Sequence, residues 1–182
     1  MWRFSILALL GCLTSFPALA ALEVGDTAPN FSADAAVGGK HFRFSLKEAL
    51  THGPVVLYFF PKAFTSGCTV EAHEFSEAAE SFTTAGATLI GMSSDNIDTL
   101  SDFSTRECRA KFPVASDPDL SVIRAYDAVM VHLPGFGGIS DRTSYVISPE
   151  GTILMSYTAM SPDEHVTRSL AVVQKWQKDH AK

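Results

Sequence analysis

The sequence predicts an α/β domain, a central mixed β-sheet flanked by helices, and three observations predict it. Residues 54–60 (Pro-Val-Val-Leu-Tyr-Phe-Phe) form an unbroken apolar run, β-branched and aromatic, as expected of a strand buried on both faces. Residues 69–82 follow with Ala72, Phe75, Ala78, Ala79 and Phe82 on one arc at helical spacing. Two short apolar runs, 144–147 and 152–155, flank Ser148-Pro149-Glu150-Gly151. Those four are turn formers, so the pair reads as an antiparallel hairpin.

The other elements fall in order around these. Residues 22–31 are a polar, turn-rich lead-in. Residues 87–92 (Ala-Thr-Leu-Ile-Gly-Met) predict a second buried strand. Residues 96–111 predict a helix with Ile97, Leu100, Phe103 and Ala110 on one side, and 112–115 a short extended piece. Ser161-Pro162-Asp163-Glu164 has the form of a capping box with proline at the first helical position, so the last helix is expected to start there. The order suits a thioredoxin-like architecture: parallel strands first, an antiparallel hairpin later, and a terminal helix packing back.

Bulk properties narrow the function. The chain has 182 residues, enough for one domain, and its net charge is −6 without any Lys/Arg cluster. Neither nucleic acid nor an anionic membrane surface is therefore expected as a partner. The first twenty residues differ from the rest. Arg3, an apolar run over 6–13 and Ala18-Leu19-Ala20 read as a signal peptide cut near Ala20. The run is too short for stable membrane insertion. The domain reading is thus 1–20 signal peptide and 21–182 thioredoxin-like domain, exported to the periplasm. A second reading places a lipid on Cys12, within Leu9-Leu10-Gly11-Cys12. Either way Cys68 and Cys108 are the cysteines of the folded part, and in an exported protein two cysteines indicate a disulfide or redox chemistry.

Cys68 lies between the first buried strand and its helix. In a helix's first turn the unpaired backbone N–H groups and the macrodipole favour an anion, which lowers a thiol pKa. Cys68 shares the arc of Ala72 and Phe75, so it points inward. Pro61 would begin the turn and shield the sulfur. Thr65 can aim its hydroxyl at the same point, and the Gly67 and Cys68 amides could hold a second oxygen.

The run Pro61-Lys62-Ala63-Phe64-Thr65-Ser66-Gly67-Cys68 resembles the Pro-x-x-x-Thr/Ser-x-x-Cys signature of peroxiredoxins, the AhpC/TSA family. Thr69-Val70-Glu71-Ala72 resembles the branch called peroxiredoxin Q or bacterioferritin comigratory protein. Residues 24–31, 55–61 and 112–117 are similar to other segments of the family, in the family's order. The resemblance implies a thiol-dependent peroxidase acting on hydrogen peroxide and organic hydroperoxides in antioxidant defence. It implies Cys68 as nucleophile, Pro61 and Thr65 beside it, and an arginine before a late strand, matched by Arg142. That arginine would stabilise the thiolate; the alternative is a surface arginine paired with Asp141. The resemblance also implies a monomer, recycled by thioredoxin or a similar thiol reductant.

In many members of this branch the resolving cysteine lies five residues after the first. That position is His73, which projects about 140° away from Cys68 on an ideal helix and reads as exposed, with no catalytic part. Cys108, in the predicted 96–111 helix, matches the place where other members carry their resolver; a purely structural cysteine is the alternative. No Cys/His pair has metal-ligand spacing and no phosphate loop is present. No cofactor is needed, since sulfur carries the electrons. A disulfide reductase would need a second cysteine where Thr65 stands. A cysteine hydrolase would need a histidine held at Cys68, and nothing ties His132 there. A non-enzymatic redox sensor or holdase would use the same Cys68.

Overall fold

The computed structural model describes residues 21–130 and 138–181. The signal peptide, the Cys12 alternative and His132 lie outside the described residues.

Seven strands form one mixed sheet: β1 (Ser32–Val37), β2 (Lys40–Ser45), β3 (Val55–Phe59), β4 (Thr88–Ser93), β5 (Val114–Ser116), β6 (Thr143–Ile147) and β7 (Ile153–Thr158). Their spatial order is β2-β1-β5-β4-β3-β6-β7. β3 runs parallel to β4, and β4 to β5. All other pairs are antiparallel. The helices are α1 (Leu46–Ala49), α2 (Ser66–Thr84), α3 (Ile97–Arg106), α4 (Ser121–Ala125) and α5 (His165–His180).

β3 shows why the sheet is central. Every residue of it is buried, and successive side chains point to opposite faces. Val55, Leu57 and Phe59 enter one apolar cluster with Leu46 of α1 and Ile123 of α4. Val56, Tyr58 and Phe60 enter the other, with Phe75 of α2, Phe103 of α3 and Val166 of α5. Burying each of the large apolar side chains contributes about 1.5–3 kcal/mol. The thioredoxin-like expectation of a mixed sheet between helices holds.

Four details differ from the expectation. The chain opens with an antiparallel hairpin, β1–β2, and not with parallel strands. Its turn is Gly38-Gly39, both at positive φ (55° and 79°), which the two-residue hairpin turn requires. A Cβ on Gly38 would also meet the Ala110 side chain at 3.1 Å. α2 starts at Ser66, earlier than residue 69, because Thr65 already adopts the extended cap conformation. α3 stops at Arg106, since Arg109 and Ala110 turn left-handed (φ 50° and 56°). Cys108 therefore sits in the turn after α3, not within a helix. The terminal helix begins at His165. The Ser161 hydroxyl is spent on the Asp163 carboxylate at 2.7 Å, and Glu164 is left-handed at φ 70°, so no helix forms before it.

Candidate active site

The turn from Pro61 to Thr65 connects β3 to α2 and is tied to the end of β4 through Asp95. Its carboxylate accepts from the Ala63 amide (2.7 Å), from Lys62 (3.2 Å) and from the Ser93 hydroxyl (3.0 Å). Pro61 and Ala63 are buried. Phe64 is held at φ 63°, a strained conformation for an aromatic residue, with its ring edge-on to Phe103 at 5.2 Å.

Cys68 is the third residue of α2 and is 2% exposed. The first bond of the helical ladder runs from the Thr69 amide to the Thr65 carbonyl (2.9 Å). The amides of Ser66, Gly67 and Cys68 precede it, so the sulfur lies among helix-start donors. Thr65 is the N-cap, but its hydroxyl donates to the Lys62 carbonyl at 2.9 Å and makes no cap bond. With its hydrogen committed there, the hydroxyl oxygen is left as an acceptor.

Arg142 stands just before β6. Thr143 pairs with Phe59 at the end of β3, which brings Arg142 beside the turn. It is 3% exposed, not a surface residue. Its Nη2 lies 3.6 Å from Cys68 Sγ, its Nε donates to the Met160 carbonyl (3.0 Å), and its Nη1 pairs with the Glu71 carboxylate. The negative charge of Glu71, then that of Cys68, hold the guanidinium charged against the cost of burial. One planar fork thus serves three partners. Gly67 makes room for it: a Cβ there would meet Nη2 at 2.9 Å. Gly67→Ala is therefore expected to slow the reaction of Cys68 with peroxide by about 10–100-fold through displacement of Arg142. Its thermal stability should fall as well, since disturbing the buried Arg142–Glu71 pair outweighs the up to about 1 kcal/mol by which alanine favours a helix over glycine. Stopped-flow oxidation and a melting curve on one preparation separate the two effects.

Glu71 was not singled out as a site residue from the sequence. It is fully buried, one turn after Cys68 on the same face. A carboxylate three residues from the cysteine, on the arc of Ala72 and Phe75, was the available signal: a buried acid demands a buried cation. Burial pushes its pKa up to about 8, against the pull of Arg142. Tyr58 was missed likewise. It stacks on Phe75 at 4.4 Å, its hydroxyl is buried without a hydrogen-bond partner, and burial, then Cys108, Glu71 and Cys68, push its pKa up.

Cys108 is fully buried in the same apolar cluster as Cys68, and both are free thiols. Burial, then Glu107, push the Cys108 thiol up. His73 is only half exposed and bonds Glu107 at 2.8 Å, a partner that the sequence reading did not provide. Among the described residues there is no cluster of His, Cys, Asp or Glu able to hold a metal ion.

The profile of the AhpC/TSA family matches residues 24–156. The chain belongs to the AhpC/TSA family. Peroxiredoxin Bcp of Xanthomonas campestris is 32% identical over 131 residues, covering 70% of this chain and 78% of that protein. A putative peroxiredoxin bcp of Coxiella burnetii is 34% identical over 149 residues, covering 80% and 94%. The crystal structure of peroxidoxin BcpB from Mycobacterium tuberculosis superposes with a TM-score of 0.75 at 29% identity, covering 85% of this chain and 97% of that one. The family is one of peroxiredoxin-type thiol peroxidases, and this chain is an enzyme of that class.

Proposed function

We propose that this peroxiredoxin reduces hydrogen peroxide and organic hydroperoxides through the thiolate of Cys68. The observation that carries the reading is the 3.6 Å approach of Arg142 Nη2 to a sulfur buried at a helix start. Both features favour the anion. The thiolate attacks the terminal peroxide oxygen, an S–O bond forms and the O–O bond breaks. The alkoxide or hydroxide leaves and takes a proton, and Cys68 becomes a sulfenic acid. Thr65, with only acceptor capacity left, would receive the peroxide O–H, and Pro61 would keep water from the sulfur.

Cys108 would then condense with the sulfenic acid, releasing water and forming a disulfide that an external, thioredoxin-like dithiol reduces. The shared apolar cluster supports this, as does the short turn between α3 and two left-handed residues, which can open without unfolding the sheet. We assign the chain to the periplasm on the pattern of residues 1–20, as a monomer in antioxidant defence.

The test is peroxide consumption with dithiothreitol by the wild type, Cys68→Ser and Cys108→Ser. Activity is expected to vanish in Cys68→Ser. Cys108→Ser should keep its first oxidation and lose the intramolecular disulfide. Consumption that survives Cys68→Ser would refute the nucleophile. A wild type that forms no Cys68–Cys108 disulfide would refute the resolver alone.

A further inference from the structure

Behind the Cys68–Arg142 contact lies a second buried layer that the reaction above leaves unused. His165, the first residue of α5, is fully buried. Its Nε2 lies 3.0 Å from the Ala159 carbonyl oxygen, which can only accept, so Nε2 carries a hydrogen in every protonation state. Nδ1 is the variable nitrogen. It lies 2.8 Å from Ser144 Oγ and 3.8 Å from Glu71 Oε1. Oε1 is the carboxylate oxygen that Arg142 does not bind, and it has no hydrogen-bond partner. A buried acceptor left without a donor is costly. A proton on Nδ1 or Oε1 would join the two after an approach of about 1 Å.

Charge neutrality gives that proton a purpose. Cys68, Glu71, Arg142 and His165 are each 3% exposed or less. With Cys68 as a thiol and Glu71 ionised, the charges of Arg142 and Glu71 cancel. With the thiolate beside an ionised Glu71, one negative charge is in excess in a buried site, and an uncompensated buried charge is strongly unfavourable. One proton on the Glu71–His165 pair restores the balance.

We infer that Glu71 and His165 hold the proton of the Cys68 couple. Ionisation of the thiol is linked to protonation of the Glu71 Oε1···His165 Nδ1 pair, with His165 as the positioning residue. The S–H bond breaks, an N–H or O–H bond forms, and no electron moves. The linkage is one of equilibrium, so the proton can travel through water. The inference rests on Cys68 reacting as a thiolate, as proposed above.

The groups facing His165 agree with this. Arg142 approaches from the segment before β6. Tyr157 of β7 lies edge-on at 4.7 Å. Arg168, farther along α5, is held over Tyr157 at 4.5 Å and bonded to Glu164. Glu74 of α2 acts on Glu71. Burial, then Arg142 and Arg168, push His165 down, while burial pushes Glu71 up. The ordinary order of proton affinity is thereby reversed, and Glu71, with His165 beside it, is the readier of the two to hold the proton.

The experiment is the pH dependence of Cys68 alkylation by a haloacetamide, read at Cys68 by peptide mass spectrometry. In His165→Gln the midpoint should rise by about one unit, a tenfold loss of reactivity below it. Ser144→Ala leaves Nδ1 facing Glu71 alone, and its midpoint should equal or fall below that of the wild type. A His165→Gln protein with a lower melting temperature but an unmoved midpoint would overturn the inference, for His165 would then only fill space. A midpoint raised in Ser144→Ala would overturn it too, and decides the matter should His165→Gln fail to fold. Alkylation reads the thiolate without peroxide, so a failure of the peroxidase reading would show elsewhere, in consumption that survives Cys68→Ser.

Discussion

Substituting Arg142 by methionine is expected to slow the oxidation of Cys68 by hydrogen peroxide about a hundred- to a thousand-fold, the usual cost of losing one preorganised charged donor at a reacting centre. Nη2 is the donor aimed at the sulfur, at 3.6 Å. It is preorganised because Nη1 is held by Glu71 and Nε by the Met160 carbonyl. Methionine fills much of the same volume, so the loss is of charge and donors, not of packing. Glu71 can adapt, since without Arg142 burial favours its neutral form. Arg142→Lys should fall nearly as far: a single ammonium cannot reach three partners in different directions. Stopped-flow measurement of the first oxidation step isolates the effect from resolution and recycling. A rate close to that of the wild type in Arg142→Met would remove the guanidinium from the chemistry.

Glu71→Ala should be the most destabilising substitution in the site. It leaves the Arg142 charge, 3% exposed, with the Cys68 sulfur as its one remaining negative partner. Breaking a buried pair from one side costs about 3–5 kcal/mol. A shift of the urea midpoint with an unchanged slope would measure it. Glu71→Gln keeps the shape and removes the titration. The folded carboxyl titrates near 8 against an ordinary value of 4.5. The folded state therefore binds this proton more tightly than the unfolded chain. The stabilisation from the protonated acid is full below the ordinary value and is lost as pH rises through about 8. Wild-type stability relative to Glu71→Gln should decline across that window. A flat difference would show that Arg142 holds the carboxylate ionised throughout.

The parts of the protein legible from sequence are those in which a local pattern has one physical solution. Residues 54–60 could only be a strand buried on both faces, and β3 occupies the centre of the sheet. The α2 arc was read from spacing, and Ala72, Phe75 and Phe82 are fully buried on it. The late hairpin followed from Ser148-Pro149-Glu150-Gly151, and β6 pairs with β7 as expected. Spacing also brought Cys68 to the helix start. The failures occurred where local signals compete. Ser161 to Glu164 has the letters of a capping box, yet the serine bonds the aspartate side chain and the helix waits for His165. The 96–111 periodicity outran α3, because nothing local announced that Arg109 and Ala110 would turn left-handed.

The sequence by itself determined the buried strand, the cysteine-bearing helix that leaves it, and the fixed spacing of Pro61, Thr65 and Cys68. These rest on contacts a few residues apart, and periodicity records them. Only the tertiary structure decided what surrounds the sulfur. Arg142 and Glu71 lie 71 residues apart in the chain, and Ser144 and His165 lie 21 apart. Pairing of β6 with β3 and packing of α5 on α2 bring the four together. No local pattern encodes that meeting. Its signature is energetic: an arginine and a glutamate in an apolar interior are tolerable because each offsets the charge of the other, and a histidine because both its ring nitrogens are hydrogen-bonded.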